Sequence, residues 1–372
     1  MMHGISVLMK PSSGMCNMRC DYCFYCDETQ NRMQTNYGFM TERTLKNVIR
    51  KTMLQADKVI SYAFQGGEPT LCGIEFFQKC IELEKKYNKN RIIVHNALQT
   101  NGMLIDEKWC QFLKDNHFLV GISLDGTQEV HDAYRHDQVG NPTFERICHS
   151  IDLLEKYEVD YNILTVVNRR VASQIGEIYK FYKRKKFQYQ QYIVCLEPLQ
   201  EQHGQREYAI SPKQYGKFLI ELFQLWYRDW KNGTQPYIRQ FDNYLGIIMG
   251  YQPEACDQRG TCGIQTVVEA DGSVYPCDFY MLDEYRLGNF NFNRLDDINA
   301  KRIELKFIER SLRLEKKCIE CAYYSLCRGG CQRNRDLLEA TGEYKNYYCE
   351  SYRMFFKSCK DQMMDMALSM TR

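Results

Sequence analysis

Between residues 5 and about 235 the sequence alternates six times between a short β-branched run and a longer amphipathic stretch, and few folds accept that order. The strand-like runs fall at 5–9, 59–64, 91–98, 118–124, 161–167 and 189–196, with helix-like stretches at 41–55, 73–87, 106–116, 143–156, 171–185 and 211–230. Thr41 and Asp106 stand where a helix N-terminus wants a capping oxygen, each followed by an early acid. Repeated strand–helix units imply a parallel sheet wound with right-handed crossovers. Six units define a partial (β/α)6, TIM-like barrel of the α/β class, whose ligands gather at the C-terminal ends of the strands. After about residue 236 the alternation stops. Residues 256–349 are rich in Cys, Gly, Tyr and Asp, with one hairpin signal, 265–269 and 273–276 around Asp271-Gly272, and an amphipathic helix at 351–370. The chain therefore divides into a barrel domain, 1–235, and a small Cys-rich domain with a C-terminal helix, 236–372. No linker is visible, so the two are expected to pack directly together.

A chain of 372 residues can bury a core without disulfide staples, yet it carries 18 Cys. The opening Met1-Met2-His3-Gly4-Ile5-Ser6 lacks the features of a signal peptide, and no uncharged apolar run approaches the ~18 residues of a membrane span. These features place the protein in the cytoplasm, where thiols stay reduced and clustered Cys serve as metal ligands. With 49 Lys plus Arg against 47 Asp plus Glu the charge is nearly balanced, which gives no support to nucleic-acid binding. Seven Cys (26, 72, 80, 110, 148, 195 and 359) are scattered, and small buried apolar roles are expected for them. The other eleven are clustered.

Cys16, Cys20 and Cys23 follow the first strand with spacing C-x3-C-x2-C and no fourth partner in the pattern. Structural zinc wants four closed ligands, and only recruitment of Cys26 would complete such a loop. Three thiolates in one loop suit three corners of a [4Fe–4S] cube, with one iron left open. The remaining eight are Cys256, Cys262, Cys277, Cys318, Cys321, Cys327, Cys331 and Cys349, enough for two four-thiolate sites. Spacing alone does not pair them, and tetrahedral zinc also fits such sets.

The three-Cys loop with Tyr22 before its last Cys is similar to the radical SAM superfamily. So are Gly66-Gly67-Glu68-Pro69 after strand two, Gln99-Thr100-Asn101-Gly102 after strand three and Ser123-Leu124-Asp125-Gly126 after strand four. The resemblance implies S-adenosylmethionine on the open iron. Its methionine amine would be received by the Gly66-Gly67-Glu68 backbone, its ribose by Ser123 and its carboxylate by Arg135, with Tyr22 and Leu196 also among the cofactor contacts. The C-terminal cysteines resemble the SPASM extension of peptide-modifying members of that superfamily. By that resemblance Cys256, Cys262, Cys277 and Cys331 hold one auxiliary [4Fe–4S] cluster and Cys318, Cys321, Cys327 and Cys349 the other, three clusters in all.

The run Ala270-Asp271-Gly272-Ser273-Val274-Tyr275-Pro276-Cys277-Asp278-Phe279-Tyr280, with Arg286-Leu287-Gly288-Asn289, Cys23-Phe24-Tyr25 and Tyr347-Tyr348-Cys349, resembles the anaerobic sulfatase-maturating enzymes. The resemblance implies oxidation of a Cys or Ser in an unfolded sulfatase Cys/Ser-x-Pro-x-Arg segment to Cα-formylglycine. A 5′-deoxyadenosyl radical would take a Cβ hydrogen while Asp278 acts as the base, and a carboxylate base works best when burial lifts its pKa. Gln65 and Tyr25 are expected to hold the substrate peptide. An electron donor such as flavodoxin or ferredoxin and an anaerobic cytoplasm complete the picture. Two other readings remain. One is a SPASM maturase forging thioether or carbon–carbon bonds in another ribosomal peptide; the dozen or so residues ahead of the loop leave no room for the leader-binding domain many of these carry. The other is a non-enzymatic iron–sulfur or zinc redox sensor, which explains neither the barrel nor the open three-Cys loop.

Overall fold

The computed structural model describes residues 4–370, so the opening Met1-Met2-His3 read above lies outside it. The chain begins β1 (Gly4–Lys10), α1 (Phe24–Gln30), α2 (Glu42–Met53), β2 (Val59–Phe64), α3 (Ile74–Tyr87), β3 (Ile93–Thr100), α4 (Glu107–Asp115) and β4 (Phe118–Ser123). It continues α5 (Phe144–Lys156), β5 (Tyr161–Val167), α6 (Ile175–Arg184), β6 (Tyr189–Val194), α7 (Pro212–Lys231) and α8 (Arg239–Ile248). A hairpin, β7 (Thr266–Glu269) with β8 (Ser273–Tyr275), a short β9 (Gly288–Asn289) and the long α9 (Cys349–Met370) complete the main elements. No helix among the described residues is long and apolar enough to cross a membrane.

The chain forms two compact units interleaved in sequence: 1–124, 132–162 and 264–306 in one, 125–131, 163–263 and 307–372 in the other. In the first unit β1, β2, β3 and β4 pair in parallel and in order. Alternation buries Ile60, Tyr62 and Phe64 of β2 completely. Phe64, Phe77 and Trp109 then lock α3 and α4 to the sheet through edge-on ring contacts at 5.0 and 5.2 Å. The other edge of β1 is taken by β7, in parallel, with Val7 opposite Thr266 and Lys10 opposite Glu269. β8 and β9 extend that sheet antiparallel. The hairpin of the Cys-rich region is thus a continuation of the barrel sheet, and β1 keeps no free edge through which a barrel could close.

In the second unit β5 and β6 pair in parallel, and β6 takes on the two-residue strand Tyr237–Ile238. There α9 lies along α7, where Gly216 permits close approach: a Cβ at that position would sit 3.1 Å from the Ser351 Cα. Ser351 donates to the Pro212 carbonyl at 2.6 Å, and Phe223, Phe241 and Phe355 form a triangle of rings between 5.3 and 5.9 Å apart.

Several expected boundaries move for local reasons. The third strand starts at Ile93 because Asn88 bonds both backbone groups of Ile92 and Arg91 takes a positive φ of 53°. The stretch 171–185 is two helices: Asn168 caps a short one, Arg169–Ser173, and Gln174 breaks the backbone before α6. Thr41 and Asp106 do cap α2 and α4, accepting from Thr44 N at 3.2 Å and Trp109 N at 2.9 Å. Of the scattered cysteines, Cys80, Cys110, Cys195 and Cys359 are buried as expected. Cys26 is exposed on α1, and Cys72 and Cys148 are only half-buried.

Candidate active site and cluster sites

The three-Cys loop leaves the C-terminal end of β1 and is fastened on two sides. Ser12 Oγ donates to the Gly66 carbonyl at 3.0 Å, and Glu68 N donates to the Met15 carbonyl at 2.8 Å. Gly67 has φ 52°, and a Cβ there would run into the Met15 carbonyl and come within 2.7 Å of the Ser13 oxygen. The Gly-Gly-Glu-Pro turn and the cysteine loop are therefore one packed piece, which only glycine allows. On the other side Met18–Cys20 pairs antiparallel with Arg135–Asp137, placing Cys20 opposite Arg135.

Donors point at the loop sulfurs. Met18 N lies 3.4 Å and Asn101 Nδ2 3.6 Å from Cys16 Sγ, and Arg135 Nη1 lies 3.8 Å from Cys20 Sγ. Burial, with Glu68 adding, pushes the Cys16 thiol up to about 12, so a metal is what would hold it as a thiolate. The donor set, three thiols with N–H groups aimed at the sulfurs of Cys16 and Cys20, fits an iron–sulfur cluster. Arg135 also lies over the Tyr22 ring, 5.5 Å from its centroid, and Gln99 donates to Ser123 Oγ at 3.2 Å.

The Glu68 side chain turns inward. It accepts from Thr70 N, Thr70 Oγ1, Thr100 Oγ1 and Asn101 N at 2.7–3.0 Å, tying the turn after β2 to the turn after β3. Burial raises its pKa and these four bonds oppose the rise. Only the backbone of the turn is left to meet a cofactor.

Asp278 follows the hairpin beside Cys277 and is nearly buried, at 9% exposure. Lys10, at the end of β1, forms an ion pair with its Oδ1, and Gln65 Nε2 donates to its Oδ2 at 2.9 Å. Lys10 Nζ also lies 4.0 Å from the centroid of the Tyr25 ring. Tyr25 is buried, and its hydroxyl is given to Glu269 Oε2 at 2.6 Å; Arg32 Nη1 meets the same oxygen at 2.7 Å. Burial, then the Glu269 charge, holds the Tyr25 phenol well above its ordinary range. The structure thus joins Asp278 to Gln65 directly and to Tyr25 through Lys10. Lys10, Arg32 and Glu269 were missed from the sequence. The signal for Lys10 and Glu269, a charge ending each of the runs Val7–Lys10 and Thr266–Glu269, has meaning only once β1 and β7 are paired, and Arg32 lies in neither run.

In the second unit Cys318, Cys321, Cys327 and Cys349 line one cavity of about 1030 Å³. Cys256, Cys262 and Cys331 lie within electrostatic reach of one another, while Cys277 belongs to the first unit. The turn between Cys327 and Cys331 is clamped by Arg335, which donates to the carbonyls of Gly329 and Gly330 at 3.0 and 2.6 Å, and by Asn346, which donates to Gly329 at 2.9 Å. Arg333 N then donates to Cys331 Sγ at 3.4 Å. Leu196 is half-buried in this unit, just past β6.

These features define a radical SAM enzyme with an iron–sulfur extension. Residues 11–182 match the radical SAM superfamily and residues 260–331 the SPASM iron–sulfur cluster-binding domain. The chain is 43% identical to a cysteine-type anaerobic sulfatase-maturating enzyme of Clostridium perfringens, covering 98% of both chains. It is 32% identical to a serine-type enzyme of Bacteroides thetaiotaomicron over 94% of this chain and 88% of that one. The structure of native anSMEcpe with bound AdoMet and Cp18Cys peptide superposes with a TM-score of 0.93 at 42% identity, covering 99% of each chain. The protein belongs to the anaerobic sulfatase-maturating enzyme family.

Proposed function

We propose that the protein oxidises the Cys of a sulfatase Cys-x-Pro-x-Arg segment to Cα-formylglycine. Whole-length identity of 43% to cysteine-type relatives, against 32% to a serine-type one, favours Cys over Ser. The observation that carries the reading is the Asp278 carboxylate, held by Lys10 at the end of β1, which bears the three-Cys loop, and by Gln65 just past β2, which bears the Gly-Gly-Glu-Pro turn.

By the resemblance Cys16, Cys20 and Cys23 would hold a cofactor-binding [4Fe–4S] cluster, a reading supported by the N–H groups near Cys16 and Cys20. Cys256, Cys262, Cys277 and Cys331 are assigned to one auxiliary cluster, and Cys318, Cys321, Cys327 and Cys349 to the other. When bound at the first cluster, S-adenosylmethionine supplies a 5′-deoxyadenosyl radical that removes one hydrogen atom from the substrate Cβ. The backbone of Gly66, Gly67 and Glu68 would receive the cofactor's amine, Arg135 its carboxylate and Ser123 its ribose, with Tyr22 and Leu196 as further cofactor contacts. Asp278 would take the thiol proton on a carboxylate oxygen, so that loss of one further electron, for which an auxiliary cluster would supply the acceptor, leaves a thioaldehyde. Water then adds to the C=S carbon and sulfur leaves as hydrogen sulfide, which gives the aldehyde. Gln65 both steadies Asp278 and faces the peptide. Tyr25, its hydroxyl already committed, acts by supporting Lys10 and offering its ring. A domain division at 1–235 and 236–372, an anaerobic cytoplasm and a flavodoxin or ferredoxin as electron donor complete this reading.

The test is anaerobically reconstituted protein given S-adenosylmethionine, dithionite and a Cys-x-Pro-x-Arg peptide. Aldehyde in the peptide together with 5′-deoxyadenosine, and loss of the aldehyde in Asp278→Asn, is the expected result. Deoxyadenosine without a changed peptide would point to a different ribosomal peptide, and neither product at full iron and sulfide content would overturn the radical chemistry.

A further inference from the structure

Burying an arginine is costly unless its surroundings offset the lost water, and in the second unit Arg335 is buried at 9% exposure. It opens the strand Arg335–Leu338, which pairs antiparallel with Glu343–Asn346 and sets Arg335 opposite Asn346. Its guanidinium is spread over three backbone carbonyls. Nε donates to Gly329 at 3.0 Å, and Nη2 and Nη1 donate to Gly330 and Ser311, each at 2.6 Å. Gly329 and Gly330 lie in the turn that joins Cys327 to Cys331, one cysteine from each auxiliary set. Ser311 reaches the Cys331 set again, because its hydroxyl accepts from Cys262 N at 3.0 Å. The turn is shaped to this contact: both glycines take a positive φ, 82° and 62°, and a Cβ on Gly329 would sit 3.3 Å from Arg335 Nη2. One guanidinium is thus fastened to segments that carry cysteines of both sets.

Holding such a turn needs only a neutral donor, and Asn346 is one, giving its Nδ2 to Gly329 at 2.9 Å. What Arg335 adds is charge, since carbonyls solvate a cation without neutralising it. Burial raises the thiols of Cys262 and Cys318, and the Arg335 charge opposes the rise at both. A fixed positive charge in a low-dielectric interior favours the more negative, reduced state of an iron–sulfur centre, whose potential follows its net surrounding charge. We propose that Arg335 is a shared positioning residue whose single charge raises the reduction potentials of both auxiliary clusters, the one with Cys262 and Cys331 among its ligands and the one held by Cys318, Cys321, Cys327 and Cys349. The inference rests on the reading above that these cysteines hold clusters. Its consequence is that the two potentials move together when one side chain is changed.

The test is a redox titration of reconstituted protein, read by electron paramagnetic resonance. A Cys16→Ala/Cys20→Ala/Cys23→Ala parent leaves the two auxiliary signals to be followed alone. At the parent midpoint of each cluster, Arg335→Met should lower the ratio of reduced to oxidised cluster by about tenfold, a shift of about 59 mV for one electron. Arg335→Lys keeps the charge without the fork and should stay close to the parent. Asn346→Ala loosens the same turn without touching the charge and should leave both potentials in place. A shift in one cluster only, or in neither, would overturn the proposal, as would an equal shift in Arg335→Lys or Asn346→Ala. Where Arg335→Met takes up less than the full iron and sulfide, Arg335→Gln, which keeps an N–H donor, carries the same expectation. Loss of clusters from both would make Arg335 a clamp alone and also overturn it. A parent that takes up no auxiliary cluster would instead place the failure in the reading of the cysteines.

Discussion

Around Asp278 the side chains of Lys10, Arg32 and Glu269 are buried and paired within bonding distance, whereas the four-cysteine cavity of the second unit is rimmed by Lys317, Lys345, Arg353 and Lys357, exposed and, among the described residues, in no ion pair. Lys10 meets Asp278, Arg32 meets Glu269, and the Tyr25 ring lies under Lys10 with its hydroxyl on Glu269. The side chains of Lys10, Arg32 and Glu269 have no exposed surface. That suits a site where a carbon radical must meet a base and not water, since exclusion of water strengthens each electrostatic contact and blocks side reactions. The rim of the second-unit cavity, with its exposed cations, has no such enclosure.

The largest test of this contrast is Asp278→Asn. It keeps the shape and the Gln65 contact but removes the carboxylate proposed as the base, and aldehyde yield should fall by about 10²–10⁴-fold. Deoxyadenosine should still form, because the three-Cys loop and its braces are untouched. Equal loss of both products would mean that Asp278 serves the cofactor site.

Next in size is Arg32→Met. It strands Glu269, whose side chain is fully buried with that of Arg32, and should cost about 3–5 kcal/mol in chemical denaturation. Replacing both partners, Arg32→Met with Glu269→Met, should recover much of that loss, because an apolar pair leaves no buried charge behind. If the double variant is as unstable as the single one, the pair is holding Tyr25 in place rather than only cancelling charge.

A smaller effect is expected from Tyr25→Phe. It removes one donor from Glu269 but leaves Arg32 and Ala270 N, at 2.7 and 2.8 Å, on that carboxylate. A loss of about 1–2 kcal/mol in stability is expected. The ring stays beneath Lys10, so aldehyde formation should persist. Its abolition would show that the hydroxyl itself serves the reaction.

What the sequence told and withheld divides along the same line. Strands at 59–64 and 161–167 appear where period and β-branching put them, because alternation is local information. The three-Cys loop was legible for the same reason, with its ligands inside eight residues. Local dihedrals at Arg91 and Gln174 moved boundaries that periodicity cannot see. Asp278 and Gln65 were each legible from motifs, but their contact spans 213 residues and exists only because the hairpin docks on β1. Lys10 and Glu269 were invisible until that register set them opposite each other. Charges at strand ends ordinarily face solvent, and nothing in one sequence says that these two share an interior.

The subtlest difference between the regions is sensitivity to pH. In the second unit His203 stacks on Tyr347 at 3.9 Å, with Nδ1 3.4 Å from Glu197 and Nε2 3.2 Å from Asp336. The Glu197 hydrogen bond raises the imidazole pKa, burial opposes it, and the Asp336 charge adds to the rise. A group with a raised folded-state pKa lends stability that is complete below its unfolded value, about 6.5, and fades as pH climbs through the higher folded value. Thermal unfolding should therefore be most resistant on the acid side of about 6.5 and decline modestly as the solution becomes alkaline through that window. His203→Gln keeps a hydrogen-bonding side chain without the titration, and its melting temperature should vary less with pH there. A variant with the same slope as the wild type would assign the dependence to other groups and remove His203 as the tunable pin of the segment following β6.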